Sequence, residues 1–366
     1  MKTTDEYIVK LEKLIRDFEN QEELVRKISR HSDFNTYRNT LTELRKGFRE
    51  NTIINLYTCW ESYIKKVFFE IVFFHQDILN NGTFFKKIVE KVVKKNHLAS
   101  SFYDLDSSKM HLSKNVITHS SNMKISVLFE MISEFDFSKE DFYKYVELGI
   151  RSEDYPNVIL LEKIRESCPQ FEIDKNDNLE VPKGSSEILK FYIEQIYMLV
   201  KFRNRLAHLD EVSTIWSMEQ IQAMSKIVKS LMMTIDEYLV GQVLKKYVES
   251  STNSFSFKEV SVTNAFPAIK VLEIEPESTQ RGRKIDTLYF FAKDRKNNIY
   301  RNIKVEKMRN QKGNKCLNIP KIGKCTIEIS CIDLWNLKNT KEQVFIYEQV
   351  ENNAPLVLNV EVTDFY

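Results

Sequence analysis

The stretch "VKFRNRLAHLDEV", residues 200–212, ends an apolar, helix-like run on two arginines, an asparagine and a histidine. Dehydrating unpaired polar or charged groups costs free energy of order kcal/mol, so Arg203, Asn204, Arg205 and His208 need partners or a site to face. Upstream, Leu189, Tyr192, Ile196, Leu199, Val200 and Arg203 recur at helical spacing, and Ser185 or Ser186 offers an N-cap with Glu187 in the first turn. Downstream, Ser217 and Gln220 have the S-x-x-Q spacing of a capping box, and Ile221, Met224, Ile227 or Val228, Leu231, Ile235, Tyr238 and Leu239 continue as a long amphipathic helix to about Val248. The polar stretch is therefore predicted to close one helix a few residues before the next begins. On a continuous helix Arg203 and His208 stand about 140° apart around the axis. For both to reach one phosphate, the helix must break or a second copy of the chain must supply the missing group.

Further towards the N-terminus the texture is helical. Residues 1–149 contain no proline and only Gly47, Gly82 and Gly149. Ile8, Leu11, Ile15 and Phe18 keep a period near 3.6, and "LTELRKGFRENTIINLYTCWESYIKKVFFEIVFF", "FFKKIVEKVVKKNHL" and "NMKISVLFEMISEF" read as further helices. Around 151–186 prolines appear, and "FEIDKNDNLEV" alternates about an Asn/Asp turn, which suits a short hairpin. After "ESSTNSFSF" the pattern changes for good. "VSVTN", "IKVLEIE", "TLYFFAKDRKNNIYRNIKV", "CTIEISCIDLW", "QVFIYEQV" and "LVLNVEV" are β-branched, aromatic and roughly alternating. The expected architecture is α+β and multidomain: an all-α bundle over 1–248, a linker at 249–256, and a small all-β barrel or sandwich over 257–366.

Composition restricts the function classes. There is no run of some 18 uncharged apolar residues and no signal-peptide layout at "MKTTDEYIVK", so a cytoplasmic chain without membrane partners is expected. Cys59, Cys168, Cys316, Cys325 and Cys331 are scattered, with no CxxC and no histidine at ligand spacing, and read as reduced, mostly buried residues. No HExxH, P-loop, GxGxxG or GxSxG is present, so no metal site or cofactor is expected. The net charge of +2 hides an uneven distribution: Arg281 to Lys324 holds 14 Lys or Arg against three acids. Such asymmetry points to nucleic acid, and equally suits a solvated surface or an acidic partner. Arg295, Lys296, Arg301 and Lys304 are the candidate RNA contacts there, and Arg205 is solvated or touches phosphate. Tyr289, Phe291 and Tyr300, interleaved with these cations, either stack bases or fill the β core. The basic row 86–95 is the wet face of an amphipathic helix or an extension of an RNA groove.

A histidine and a guanidinium suit RNA cleavage by the substrate's own 2′-hydroxyl, in which imidazole moves protons and arginine stabilises charge at phosphorus. That route needs no metal and leaves a 2′,3′-cyclic phosphate and a 5′-hydroxyl. "RNRLAH" resembles the R-(N/D/H)-x3–4-H motif of the HEPN ribonucleases. "TIINLYTCWESYIKKVFFE", with Trp60 and Glu61, is similar to the second signature helix of bacterial HEPN proteins found beside toxin and phage-defence genes, and "HSSNMKISVLFEMISEFDF" resembles a further segment of that branch. The likeness spans roughly residues 35–245, with the three pieces in the family's order. It implies a helical bundle that forms a homodimer with a composite cleft, Arg203 and His208 as the catalytic pair, Asn204 as polar companion and Glu61 in an orienting role. It also implies a metal-independent endoribonuclease acting in toxin–antitoxin or antiviral defence, with an antitoxin or phage-derived trigger as a further partner. The family often has Gly after the histidine, where this chain has Leu209. The alternatives are a non-catalytic HEPN module that binds RNA or nucleotide or regulates a partner, a purely structural adaptor, and for Arg203 a structural ion pair with Glu61.

Overall fold

The computed structural model describes residues 2–74, 123–149, 181–208, 215–249, 258–266, 269–276, 278, 281–284, 288–294, 298–330 and 342–348. The expected helix at 84–98, all of the expected hairpin but its last residue, Val181, the strand "LVLNVEV", Cys168, Cys331 and the residues joining the two regions lie outside these. The described N-terminal region is mostly helical: α1 (Lys2–Ile28), a 3-10 turn (Ser32–Tyr37), α2 (Arg38–Phe74), α3 (Ile125–Glu134), α4 (Lys139–Gly149), α5 (Glu187–Ala207) and α6 (Met218–Glu249). The C-terminal region is a small antiparallel sheet: β1 (Lys258–Phe266), β2 (Val271–Glu275), β3 (Leu288–Asp294), β4 (Ile299–Asn310), β5 (Cys325–Ser330) and β6 (Glu342–Glu348).

Helices α1 and α2 run antiparallel, fixed at both ends by buried polar pairs. Thr3 donates to both oxygens of Glu70 at 2.6 and 2.7 Å. At the other end Glu22, 3 % exposed, accepts from Arg45 and Arg49, each at 2.6 Å. Helix α6 is amphipathic in sequence, yet it is buried on nearly every side, as expected when an apolar helix is enclosed rather than laid on a surface. α1, α2, α4, α5 and β4 all pack against it. Its start bears the expected capping box: the Ser217 N–H donates to Gln220 Oε1 at 2.8 Å and the Gln220 N–H to Ser217 Oγ at 3.3 Å. Ser186 is the N-cap of α5, accepting from the Leu189 N–H. Trp60, at 0 % exposure, is core as its spacing suggested, whereas Cys59 is only partly buried.

The strands pair in the order β1-β2-β5-β4-β3-β6, and β6 pairs in turn with β1, so the hydrogen-bonded order closes on itself. A separate cluster around Leu272, Ile274, Phe290 and Ile327 fills the β region. The two regions meet where β4 crosses α6. Phe291, Ile299 and Tyr300 belong to the helical core cluster. Phe291 and Tyr300, at 1 % and 0 % exposure, are therefore not base-stacking surfaces, because the helix takes the face that a base would need. β4 engages β3 over residues 299–303 and β5 only from Lys304 onward. The Tyr145 hydroxyl of α4 covers the gap on that edge, donating to the Tyr300 carbonyl and accepting its N–H at 3.2 Å. Helix and strand approach this closely because residue 241 is glycine: a Cβ there would meet the Tyr145 hydroxyl and lie 2.5 Å from the Tyr300 carbonyl oxygen. Among the described residues no helix is long and apolar enough to cross a membrane.

Candidate functional site

The three stretches singled out in the sequence converge in space. From α2, Trp60 Nε1 donates to the Met123 carbonyl at 2.8 Å, and the Tyr57 hydroxyl accepts the Met123 N–H at 3.0 Å. Both main-chain groups of residue 123 are thus held by side chains of one helix, and Lys124, the N-cap position of α3, is set beside the end of α5. Tyr57 and Trp60 are fully buried, so these bonds form away from competing water. Burial above all, with Glu61 adding to it, pushes the Tyr57 phenol up to about 12, which keeps its proton in place at neutral pH.

Helix α5 continues unbroken through Ala207. His208 caps it, its N–H bonded to the carbonyls of Asn204 at 3.0 Å and Arg205 at 3.2 Å. No break separates Arg203 from His208, so the two stay on different sides of α5. Arg203 turns towards α2, its guanidinium 4.8 Å from the centre of the Tyr57 ring and donating to Asn204 Oδ1 at 3.1 Å. Glu61, one turn further along α2, is bonded to Lys65 at 2.7 Å and interacts with the Tyr57 hydroxyl. Arg203 and Glu61 thus both act on Tyr57, one at its ring and one at its hydroxyl.

The other side of α5 borders an open cleft of about 210 Å³, lined by Lys124, Tyr197, Val200, Lys201, Asn204, Arg205 and His208. Tyr197, Lys201, Asn204 and His208 follow one another at helical spacing and so share a face. Arg205 and His208 are exposed at its mouth. Among the described residues no carboxylate lines the cleft, and three of the seven that do line it are cationic. The charges of the described lining favour an anion, and the His208 imidazole is exposed beside them. Among the described residues no group of three or more His, Cys, Asp or Glu side chains is arranged to hold a metal ion.

The remaining candidates are dispersed. Arg301 is 9 % exposed and points into the α6–β4 seam, 4.0 Å from Glu237, so it has a partner inside the protein and little surface to offer RNA. Lys304 belongs to β4 but its side chain is outside the described set, as are Arg295 and Lys296 entirely. Sequence reasoning missed Tyr57, Lys124, Tyr197 and Lys201. Tyr57 was findable four residues before Glu61, and Tyr197 and Lys201 by counting back from His208 along α5. Nothing local to Lys124 announces its place, which depends on the bonds that Trp60 and Tyr57 make to its neighbour.

No curated protein and no solved structure matches the chain. A protein-family model described as RiboL-PSP-HEPN matches residues 6–241, from the first turns of α1 to Gly241 in α6, and leaves the β region outside. With most of its length inside that match, and with the motif helix, the Trp60 helix and the Met123–Lys124 segment assembled around one cleft, the chain belongs to the HEPN superfamily, in its RiboL-PSP-HEPN family.

Proposed function

We propose that the protein is a metal-independent endoribonuclease whose reaction centre lies at the C-terminal end of α5. The observation that carries this reading is the placement of His208, Asn204 and Arg205 together in a cleft whose described lining is cationic. The substrate's 2′-oxygen attacks phosphorus as His208 moves a proton, the bond from phosphorus to the 5′-oxygen breaks, and the products are a 2′,3′-cyclic phosphate and a 5′-hydroxyl. A guanidinium stabilises the additional charge on the five-coordinate phosphorus. Arg203 and His208 do not share a face of α5, so the productive centre is a dimer in which each copy contributes to one groove. Glu61 acts through Tyr57 to hold Arg203 in place. The division into a nuclease region over 1–248 and a β region from 257, which we take to be a small barrel, leaves the strands to bind RNA or a trigger. The setting is toxin–antitoxin or anti-phage defence, where cutting RNA halts growth.

One observation favours a second reading. Arg203 is engaged with Tyr57 and Asn204 rather than lining the cleft, the arrangement expected of a module that binds RNA or nucleotide without cutting it. The two readings part in one assay. Purified protein is incubated with RNA in EDTA and the ends are mapped. Cyclic-phosphate ends that disappear with His208→Ala support the nuclease. Retention of RNA without new ends supports the binding module and overturns the nuclease.

A further inference from the structure

We infer that Lys124 and Tyr197 form a nucleotide-binding subsite beside the motif histidine, with Lys124 contacting a backbone phosphate and Tyr197 stacking a base of a single-stranded RNA. This rests on the ribonuclease reading and names how that same cleft would hold its substrate. Both residues line the cleft with His208, and the Lys124 ammonium stands 5.3 Å from the centre of the Tyr197 ring. A cation and an aromatic ring in one cleft, here with the ammonium over the ring, are the two elements from which single-strand binding sites are built.

Local structure does not account for a lysine at position 124. It occupies the N-cap of α3 and its side chain makes no capping hydrogen bond. Its charge adds to the positive end of the helix, where Ser, Thr, Asp or Asn would satisfy a free N–H. Among the described residues it has no carboxylate partner, and α3 has no acid in its first turn to offset it. An anion in the cleft removes that conflict. The position is also preorganised. The neighbouring Met123 is fixed through its N–H by Tyr57 and through its carbonyl by Trp60, so the ammonium is presented from a rigid base. Tyr197, one helical turn before Lys201 and two before Asn204, presents its ring on the face of α5 that ends in His208.

The test uses the full chain and two probes, a fluorescent 2′-O-methyl oligouridine that lacks the attacking hydroxyl and the corresponding cleavable RNA. Lys124→Ala should lower the slope of log affinity against log salt by about 0.7, the share of one phosphate contact on a single strand, whereas Lys124→Arg keeps it. Tyr197→Leu, which preserves bulk, should weaken binding about tenfold or more, whereas Tyr197→Phe retains it. On cleavable RNA the first and third variants should raise KM and leave kcat within about twofold, the mark of lost ground-state contact. If His208→Ala stops cleavage while Lys124→Ala and Tyr197→Leu leave slope, affinity and KM unchanged, the subsite is overturned and the nuclease stands. If the oligouridine binds with the expected losses but RNA is never cut, the subsite stands and the nuclease falls. If the wild type shows no salt-dependent binding, both fall.

Discussion

Of the four Arg-Asn dipeptides in the chain, those at 203–204 and 301–302 have opposite fates. At the end of α5, Asn204 borders an open basic cleft and Arg203 lies over an aromatic ring one step behind it. In β4, Arg301 is 9 % exposed and its guanidinium lies 4.0 Å from Glu237 of α6. The first pair ends a helix, where the chain leaves the core and polar groups find space. The second sits where two regions press together, and its charge is spent on holding them. A count of cations along the chain does not separate these cases; the element that carries them does.

The sharpest break between the two regions is expected at His208. Replacing it with Ala should reduce RNA cleavage at least about a hundredfold, the usual lower bound for losing a general acid or base, with thermal midpoint and circular dichroism unchanged because the side chain is exposed. A comparable loss of stability would show that the histidine belongs to the structure and not to the chemistry. Next in size is Gly241→Ala at the seam. The substitution improves helix propensity by about 1 kcal/mol, yet it drives a methyl group into the Tyr145 hydroxyl and the β4 backbone, so a net loss of about 1–3 kcal/mol is expected in urea unfolding. A stabilised variant would mean that the helix and the strand do not lie this close.

Asp141 supplies a pH test of the same packing. Burial alone would raise its pKa, but hydrogen bonds from Lys245, Lys144 and Gln242 outweigh this and hold the carboxyl below its usual range. A group whose folded pKa is depressed stabilises above its unfolded value, near 3.9, and that contribution fades as pH falls through the folded value. Urea midpoints should therefore fall more steeply on acidification in the wild type than in Asp141→Asn, and equal slopes would refute the contribution. The smallest effect is expected at Arg301. Arg301→Met should leave RNA affinity within about twofold, measured by anisotropy, because its guanidinium faces Glu237. A loss like that of a cleft lysine would return β4 to the RNA surface.

Much of the fold was legible because local rules and tertiary demands agree there. Ser186 and the Ser217–Gln220 pair mark helix starts at which the backbone needs those side chains, and the structure uses both. The helix-to-strand change after residue 249 is written in β-branched alternation, and β1 begins at Lys258. The burial of Phe291 and Tyr300 was not legible, since stacking aromatics and core aromatics are spelled identically and only α6 decides between them. Nor was the burial of Arg301, whose partner Glu237 is brought to it only by the packing of α6 on β4. At the cleft, His208 and Asn204 are the two lining residues that motif spacing also singles out. Lys124 was missed because its position depends on two hydrogen bonds from residues more than sixty positions away.

The claim on which the rest depends is that two copies meet at the ends of their α5 helices to make one cutting centre. The direct measurement is cleavage rate per chain against protein concentration, with association followed in parallel by sedimentation. The account predicts that activity per chain falls on dilution in step with the loss of dimer. A rate per chain that stays constant at concentrations where only monomer sediments would contradict it.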